Sequence, residues 1–513
     1  MVGNHHPNQK IVGLRELGQQ AERYREEGLK VVLCHGTFDL IHPGHIRHLT
    51  KARQFGDRLL VTTTADRFVM KGPGRPVFPE ALRAESLAAL AVVDGVAIVE
   101  DTTAIPAIRI IRPGVYVKGS DYADAREDIT GNIRREEAEV HAVGGEVRFT
   151  DDVTFSSSRL INQYLDVFTP ETQAYLNRFK ECHREKELVE SIQALGHRKI
   201  LVFGEAIIDE YCMTETLGLT GKSHTVVSCR YIDTEQFAGG SLAVANHLSG
   251  FVEQVGLITG VGQDERQNAF MKEALANNVD ARFFKYETAP TLVKRRYVNH
   301  DITKLFEVYF QDPNPLTPRV EADLCQWIAD HAGDYDAVVV ADYGNGLISP
   351  LMVEAICKHA RFLAVNTQIN SGNHCHHVIN RYPRADFISL NECEVRLATH
   401  NRSDPMEGLA RSIGKRLSAR WMAITQGMKG AVLLDIESGR TYNAPPLSTR
   451  VVDRIGAGDA FLALAGLCLS GNLSPEVALF VGSAAAAIDV QIVCNRECIH
   501  PVTLYKYIST LMK

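Results

Sequence analysis

The sequence lacks features that would have placed it in special classes of protein. Its 11 cysteines are scattered through 513 residues, and the two close pairs, Cys375/Cys393 and Cys494/Cys498, do not have zinc-ribbon spacing. No uninterrupted apolar run approaches the roughly 18 residues of a membrane helix. The first ten residues also lack the apolar core of a signal peptide. These absences predict a cytoplasmic protein with reduced cysteines and no membrane partner.

A large excess of one charge is also missing. The 55 basic and 62 acidic side chains give a formal net charge of −7, so no electrostatic attraction to nucleic acid is expected. Hydrophobic residues make up 45% of the chain and charged residues 23%, which is ordinary for a globular protein with sizeable cores. Binding of an anionic substrate would therefore depend on local lysine and arginine residues or on a metal ion.

The first third of the chain alternates between short β-branched runs and amphipathic stretches. Residues 30–34 and 57–65 are predicted strands, and Ile46 and Leu49 have the helical spacing that predicts a helix over 45–55. Such a βαβ unit implies parallel strands with a right-handed crossover. The pattern continues through helices at 79–91, 105–111 and 132–142 and strands at 96–99, 115–118 and 145–150.

A charged helical segment without strand character separates this region from a second, longer α/β alternation. We therefore expect two α/β domains, the first a Rossmann-like parallel sheet. The predicted boundaries are an N-terminal extension over 1–27, a first domain over 28–162, a helical linker over 163–196 and a larger domain over 197–513.

The stretch "CHGTFDLIHPGH" at 34–45 is the first candidate site, because ligands of open parallel sheets bind where a strand ends and a helix begins. Gly36 lets a ligand approach the backbone closely, and Gly44 permits a tight turn into the helix. His45 lies at the predicted helix N-terminus, which attracts anions, and His42 is three positions earlier. The two imidazoles could converge on a triphosphate. A zinc site and structural histidines at a turn are the alternatives.

Four motifs in order resemble those of the cytidylyltransferase-like nucleotidyltransferases: "GTFDLIHPGH" (36–45), "MKGPGRPV" (70–77), "YVKGSDY" (116–122) and "FSSSRLIN" (155–162). The resemblance implies that a sugar phosphate attacks the α-phosphorus of ATP or CTP and that pyrophosphate leaves. It also implies catalytic roles for His42, His45 and Lys118. The nucleotide contacts that it implies are Gly36, Thr37, Phe38, Asp39, Gly44, Lys71, Arg75, Ser156, Ser157 and Ser158.

The second candidate site is "VVDRIGAGDAFLALAGLCL" at 451–469. Small residues Gly456, Ala457 and Gly458 lead directly into an apolar helix, so consecutive N–H groups can form an anion hole. Asp459 in the first turn can accept the proton of an attacking hydroxyl while those N–H groups hold the transferred phosphoryl group. An ordinary glycine-rich helix start with an N-terminal acidic residue is the alternative.

The surrounding sequence resembles the ribokinase-like (PfkB) sugar kinases, which have a large α/β domain and a small β lid. The matching elements are "GEAIIDEY" (204–211), "AGGSLAVAN" (238–246), "VVADYGNG" (339–346), "LNECE" (390–394) and "TQGMKG" (425–430). The resemblance implies that Asp459 is the general base, that ATP is the phosphoryl donor and that the protein forms a homodimer. The sugar contacts that it implies are Asp209, Gly239, Gly240 and Asn246; the ATP contacts are Thr425, Gly427 and Gly430; and the Mg²⁺-linked pair is Asn391 and Glu394.

Two departures from the kinase pattern bear on activity. Arg454 and Ile455 follow Asp453 where the family often has threonine, and "VNTQINSGN" (365–373) replaces an Asp-Pro-Lys segment of related bifunctional enzymes.

The combination of domains resembles the bifunctional heptose kinase/adenylyltransferases, with the domain order reversed. It predicts a bifunctional enzyme that makes an ADP- or CDP-heptose-like sugar. The alternative is a nucleotidyltransferase with a catalytically inactive sugar-binding or dimerisation domain.

Overall fold

A computed structural model of the chain describes residues 7–69, 71–119, 132–150, 167–221, 225–312, 314–373 and 376–513. The chain divides into two compact units. The first comprises the chain up to Thr169 together with Tyr505–Lys513, and the second comprises Pro170–Leu504. Among the described helices, none combines the length and apolar character that a membrane span requires.

The first unit is a five-stranded parallel sheet with helices on both faces. Its elements are α1 Leu14–Glu26, β1 Val31–Gly36, α2 Pro43–Arg53, β2 Arg58–Thr64, α3 Glu80–Ala88, β3 Gly95–Val99, α4 Ile105–Ile111, β4 Val115–Gly119, α5 Asn132–Ala142 and β5 Glu146–Thr150. The strand order is β3-β2-β1-β4-β5, and all the pairings are parallel. The order reverses between β1 and β4, which is where such sheets bind ligands.

Strand β1 shows why the helices cover both faces. Val32 and Cys34 are buried in one apolar cluster, which includes Leu49 of α2. Val31 and Leu33 are buried in a second cluster on the other face. Successive side chains of a strand point to opposite faces, so a strand with four consecutive apolar residues needs a helical layer on each side.

The second unit is a mixed sheet of nine strands with a separate four-stranded sheet. Its elements are α6 Pro170–Cys182, α7 Glu185–Gln193, β6 Lys199–Gly204, β7 Ala206–Leu219, β8 Val227–Gly240, α8 Ser241–Ser249, β9 Gln254–Val261, α9 Glu265–Glu273, β10 Val279–Lys285, β11 Leu292–Val298, β12 Lys304–Phe310, α10 Pro318–His331, β13 Ala337–Asp342, α11 Pro350–His359, β14 Leu363–Thr367, β15 Phe387–Asn391, α12 Glu392–Thr399, α13 Met406–Arg416, β16 Trp421–Thr425, β17 Ala431–Asp435, β18 Thr441–Ala444, α14 Ala457–Ser470 and α15 Pro475–Asp489. A last helix, α16, spans Pro501–Met512, and its residues from Tyr505 belong to the first unit.

The large sheet has the order β10-β9-β6-β13-β14-β15-β16-β17-β18. Only the pairings β16–β17 and β17–β18 are antiparallel. The carboxyl ends of β6, β13, β14, β15 and β16 therefore meet at one edge, where the sequence motifs of this unit follow them.

The small sheet, with the order β12-β11-β7-β8, has two different faces. Asp209 is in register with Lys294, which is in register with Tyr309. These side chains share one face, because paired residues in adjacent strands point to the same side. The alternate residues of β12, Phe306 and Val308, lie on the other face and are exposed. We call this second surface the outer lid face.

The two-unit α/β architecture confirms the predicted fold class, but the unit boundaries differ from the predicted domains in three places. Leu17 of α1 is buried in the first sheet's core, although an extension was expected there. Helix α6 belongs to the second unit instead of a linker, because Phe179 stacks on Phe480 with ring centroids 4.1 Å apart. The segment Tyr505–Lys513 belongs to the first unit instead of the second.

Candidate active sites

In the first unit, the loop between β1 and α2 brings two histidines together. His42 is the N-cap residue of α2, and its Nδ1 accepts a hydrogen bond of 3.1 Å from the Gly44 N–H. His45 lies in the first turn, and the two imidazole centroids are 4.0 Å apart. The start of this helix carries the positive end of its dipole, so the histidine pair lies where a phosphate group would bind.

This environment disfavours the protonated form of both imidazoles. Burial lowers the pKa of His42. Burial, followed by the positive charges of His42 and Lys71, lowers the pKa of His45 to about 3. A neutral imidazole still donates one N–H to a phosphate oxygen. A bound triphosphate would raise both pKa values, because a nearby anion favours the protonated form.

Asp39 connects the histidine loop to the segment 71–77. Its Oδ1 accepts hydrogen bonds from the N–H groups of Val77 at 2.6 Å and Phe78 at 3.1 Å. The Asp39 charge also raises the pKa of Lys71 and Arg75 against the effect of burial. Asp39 therefore holds the backbone at residues 77 and 78, where the second motif ends, beside the loop of the first motif.

A buried arginine that the sequence did not single out holds the same loop. Arg83 of α3 is only 1% exposed, and all three nitrogens of its guanidinium donate hydrogen bonds. It donates to the carbonyl oxygens of Thr37, Thr64 and Phe78, to Thr63 Oγ1 and to Asp66 Oδ1.

The loop of the first motif also has an uncommon backbone conformation at Phe38. Phe38 has φ of 49°, which is rare for a bulky residue, and a Cβ on Gly36 would lie 3.2 Å from its ring.

Lys118, at the end of β4, lies next to a buried carboxylate. Its Nζ is 2.9 Å from Oε2 of Glu136, and Glu136 also accepts hydrogen bonds from the Tyr116 hydroxyl and the Ala104 N–H. The catalytic role implied for Lys118 stays a prediction, and in this structure Glu136 partly neutralises its charge. Ser156, Ser157 and Ser158 lie outside the described residues.

In the second unit, the GAGD turn begins α14 at the carboxyl edge of the sheet. Gly456 is the N-cap residue with φ of 101°. A Cβ there would lie 2.4 Å from Asn495 Oδ1 and 2.7 Å from Asp489 Oδ2, so only glycine fits. A Cβ on Gly458 would meet nothing within 4 Å. The first N–H groups of a helix have no partner within it, so the turn offers an anion hole that opens into free space.

The departure at Arg454 and Ile455 leaves this turn well supported. The Asp453 carboxylate accepts hydrogen bonds from both of their N–H groups and from the Tyr211 hydroxyl at 2.7 Å. The Ile455 side chain packs against the apolar cluster that contains Tyr211. Asp453 and that apolar contact therefore hold the loop without the family's threonine.

Asp459 has the environment of a general base. It is 7% exposed, and its Oδ1 accepts a hydrogen bond of 2.8 Å from the Tyr343 hydroxyl. Burial raises the pKa of Asp459 to about 7; the Tyr343 hydrogen bond opposes that shift, and the Asp209 charge adds to it. A base with a pKa near the working pH is efficient in proton transfer.

The segment that replaces Asp-Pro-Lys positions Tyr343. Amide groups of Asn370 and Asn373 donate to the Tyr343 carbonyl oxygen at 2.7 and 2.6 Å. On the other side, Glu205 accepts a hydrogen bond of 2.9 Å from the Tyr343 N–H. The departure from the family pattern thus removes a lysine and an aspartate, while two asparagines hold the tyrosine that contacts Asp459.

The site-facing side of the small sheet carries buried charges. Asp209 forms an ion pair with Arg296 and is 4% exposed. A Cβ on Gly239 would lie 1.9 Å from Asp209 Oδ2, which explains glycine there. Lys294 is 5% exposed; burial lowers its pKa, and the charges of Asp209 and Glu205 oppose this.

Asn391 and Glu394 form a capping box at the start of α12. Asn391 Oδ1 accepts from the Glu394 N–H at 2.9 Å, and Glu394 Oε2 accepts from the Asn391 N–H at 2.8 Å. Burial raises the pKa of Glu394 to about 7, and the charge of Asp459 also raises it. No cluster of three metal-ligating residues occurs within the described ranges. Their oxygens are engaged as helix caps and do not fit direct metal coordination, so their link to Mg²⁺ stays a prediction.

The remaining predicted residues divide into two groups. Thr425 ends β16 directly beside Asn391, and Gly427 and Gly430 follow with φ of 57° and 89°; these three lie at the carboxyl edge. Asn246 instead bonds the backbone of residues 274–276 with its amide group. Its role in sugar binding stays a prediction.

Comparison with known families finds a match for each of the two α/β regions. A model described as cytidylyltransferase-like matches residues 33–175, and a model described as pfkB family carbohydrate kinase matches residues 197–500. The second match alone covers more than half of the chain.

Curated relatives match a smaller part. The bifunctional protein HldE of Koribacter versatilis is 41% identical over 157 residues, covering 30% of this chain and 31% of the relative. That of a Bradyrhizobium strain is 45% identical over 138 residues, covering 26% and 27%. The chain thus spans about three tenths of the length of the curated relatives that it matches.

Solved structures of distant proteins also match the chain. A ribokinase from Thermotoga maritima has 16% identity and a TM-score of 0.49, with 61% of this chain and 99% of that chain covered. Phosphofructokinase-2 from Escherichia coli has 17% identity and a TM-score of 0.48 over the same shares.

Proposed function

Because the chain belongs to the pfkB family of carbohydrate kinases, we propose that its second unit phosphorylates a sugar with ATP. We further propose that the first unit, which matches the cytidylyltransferase-like model, joins a sugar phosphate to a nucleotide. The observation that carries the proposal is the pairing of Asp459 with Tyr343 at the GAGD turn, since it supplies a base within the matched family.

In the kinase reaction, the sugar hydroxyl attacks the γ-phosphorus of ATP, the bond from that phosphorus to the bridging β,γ oxygen breaks, and ADP leaves. Asp459 accepts the hydroxyl proton, and the N–H groups at the start of α14 stabilise the charge on the transferred phosphoryl group. Asp209, held by Arg296, accepts hydrogen bonds from other sugar hydroxyls. Lys294 on the same face suits a substrate that already carries a phosphate, such as a heptose phosphate.

Mg²⁺ would accompany ATP. When bound, it would neutralise phosphate charge, and a protein carboxylate would help to hold it beside the phosphates. Glu394 is the carboxylate that we propose to lie nearest to it, in an indirect role, because its Oε2 accepts from the Asn391 N–H and its Oε1 from the Ile369 N–H.

In the nucleotidyl transfer, a phosphate oxygen of the sugar phosphate attacks the α-phosphorus of a nucleoside triphosphate, ATP or CTP. The bond from that phosphorus to the bridging α,β oxygen breaks, and pyrophosphate leaves. No protein nucleophile is needed; His42, His45, Lys71 and Arg75 bind the phosphates and stabilise the developing charge. The product is an ADP- or CDP-heptose-like sugar, in keeping with the bifunctional relatives.

The outer lid face supports a homodimer. Tyr231, Phe306 and Phe310 on this sheet are 62%, 54% and 41% exposed. An apolar patch of this kind on a sheet that also carries the sugar contacts marks a protein interaction surface. We propose that a second copy of the chain covers it.

The test separates the two activities. The wild type is assayed for ADP release with a panel of sugars and sugar phosphates, and for pyrophosphate release with ATP, CTP, GTP and UTP and several sugar 1-phosphates. His45→Ala should lower pyrophosphate release about a hundredfold or more, as for loss of an oxyanion-hole donor, and leave ADP release unchanged. Asp459→Asn should do the reverse.

The exposed His141, replaced by alanine, is the matched control. A wild type that releases pyrophosphate but no ADP with any sugar would instead support a catalytically inactive pfkB domain. An unchanged rate in His45→Ala would remove that residue from the mechanism.

A further inference from the structure

The segment 71–77 of the first unit lies against residues 505–513, which comprise the end of α16 and Lys513 after it. Gly72 has φ of 86°, and a Cβ there would lie 3.2 Å from Thr510 Cβ and 3.5 Å from Tyr507 Cδ2. Tyr507 and Thr510 are 3% and 5% exposed, and they stand one helical turn apart on α16. The loop that carries Lys71 and Arg75 is therefore seated on this helix by close backbone contact.

The same helix places further positive charge beside that loop. The side chain of Lys71 reaches the surface, yet protein atoms crowd its ammonium and keep water from much of it. This desolvation, followed by the positive charges of Lys513 and Lys506, lowers the pKa of Lys71 to about 8. Those two lysines act on it more strongly than Asp39 or Arg75. Such a group of cations around one carboxylate favours binding of a polyanion.

We propose that residues 505–513 form one wall of the nucleotidyltransferase site, with Lys506 and Lys513 binding the β- and γ-phosphates of the triphosphate beside Lys71 and Arg75. The inference rests on the proposed nucleotidyl transfer. These phosphates leave as pyrophosphate when the oxygen of the sugar phosphate bonds to the α-phosphorus, and the leaving group gains negative charge. Cations fixed beside it stabilise that charge in the transition state.

The kinetic test uses the full chain with Lys506→Met and Lys513→Met combined. The expected result is a fall of at least tenfold in kcat/KM for the triphosphate, the loss typical of a charge-assisted contact. The KM for the sugar phosphate and the release of ADP by the second unit should not change. The double replacement by arginine should retain most of the activity, because arginine keeps the positive charge. If the two lysines acted only through the packing of their side chains, arginine would not be expected to preserve activity.

Lys51→Met is the matched control, because Lys51 lies in the last turn of α2, away from the histidine end of that helix. A double variant with the same kcat/KM as Lys51→Met would overturn the inference and leave the proposed function intact. A wild type that released no pyrophosphate from any of the four triphosphates would instead overturn the proposed function.

Chemical footprinting of the lysines tests the inference independently of whether the enzyme releases pyrophosphate in the assay. Lysine acylation is followed residue by residue by mass spectrometry, with and without inorganic tripolyphosphate and Mg²⁺. Acylation of Lys71, Lys506 and Lys513 should slow severalfold with tripolyphosphate, while Lys51 should react at the same rate. Equal rates at Lys506 and Lys513 with and without tripolyphosphate would show that they do not bind phosphate.

Discussion

At the scale of the residue, one hydrogen bond adjusts the acidity of the proposed base. Burial alone would leave Asp459 protonated over much of the neutral range, and the Tyr343 hydroxyl opposes this by stabilising the carboxylate. Because the folded-state pKa is raised to about 7, the carboxylate that accepts the proton is present above pH 7 and lost below it. The rate of sugar phosphorylation should therefore fall as the pH drops through 7.

Tyr343→Phe removes the stabilising hydrogen bond and should raise the pKa of Asp459. A hydrogen bond to a charged group is worth roughly 1.5 kcal/mol or more, and one pKa unit is about 1.4 kcal/mol. We therefore expect the acid limb of the kcat profile to move up by about one pH unit. The profile of ADP release against pH measures the shift.

Tyr175→Phe is the control, because the Tyr175 hydroxyl is also buried but has no hydrogen-bond partner in the described part of the chain. Its profile should coincide with that of the wild type. An acid limb that stays in place in Tyr343→Phe, or that moves to lower pH, would contradict the assigned role.

At the scale of the element, Arg83 joins α3, β2 and the loop of the first motif. Sequence patterns could not indicate this role, since an isolated arginine in an amphipathic helix is usually solvated. Here Ala84 and Leu87 of the same helix are buried in an apolar cluster, so this face of the helix packs against the core. The Arg83 guanidinium donates to carbonyl oxygens that would otherwise lack this partner.

Arg83→Met should destabilise the protein by about 3–5 kcal/mol, because it leaves a buried partner network without its donor. Urea unfolding, monitored by a signal that reports on the first unit, measures the loss in free energy of unfolding. The exposed Arg15→Met, also in a helix of this unit, should change it by less than about 0.5 kcal/mol. Equal stability of the two variants would show that the Arg83 contacts contribute little.

At the scale of the whole molecule, the small sheet combines two roles by simple alternation along its strands. One face carries Asp209 and Lys294, which we propose to face the sugar, and the other presents Phe306 and Val308. The proposed dimer would therefore stabilise the sheet that carries the proposed sugar contacts.

Phe306→Glu places a charge in the proposed interface and should convert the dimer to a monomer. Light scattering after size exclusion should give about twice the 56.8 kDa chain mass for the wild type and the single chain mass for the variant. Leu351→Glu, at a position 56% exposed in α11, should remain dimeric. A wild type that elutes as a monomer at all concentrations would contradict the proposal.

Local patterns in the sequence determined the order of the elements and the position of the motifs. Strand and helix periodicities are short-range properties, so the alternation from β1 to β5 and the start of α2 near His42 could be predicted from neighbouring residues. The small residues of the GAGD turn likewise indicated an anion hole, because they leave consecutive N–H groups accessible at the start of a helix.

Only the tertiary structure decided which distant residues share a site. Tyr343 and Asp459 are 116 positions apart, and Gly72 meets Thr510 across most of the chain. Such neighbours depend on strand order and helix packing, which bring together residues with no common periodicity. For the same reason the sequence alone does not reveal that α1 and the segment 505–513 belong to the first unit.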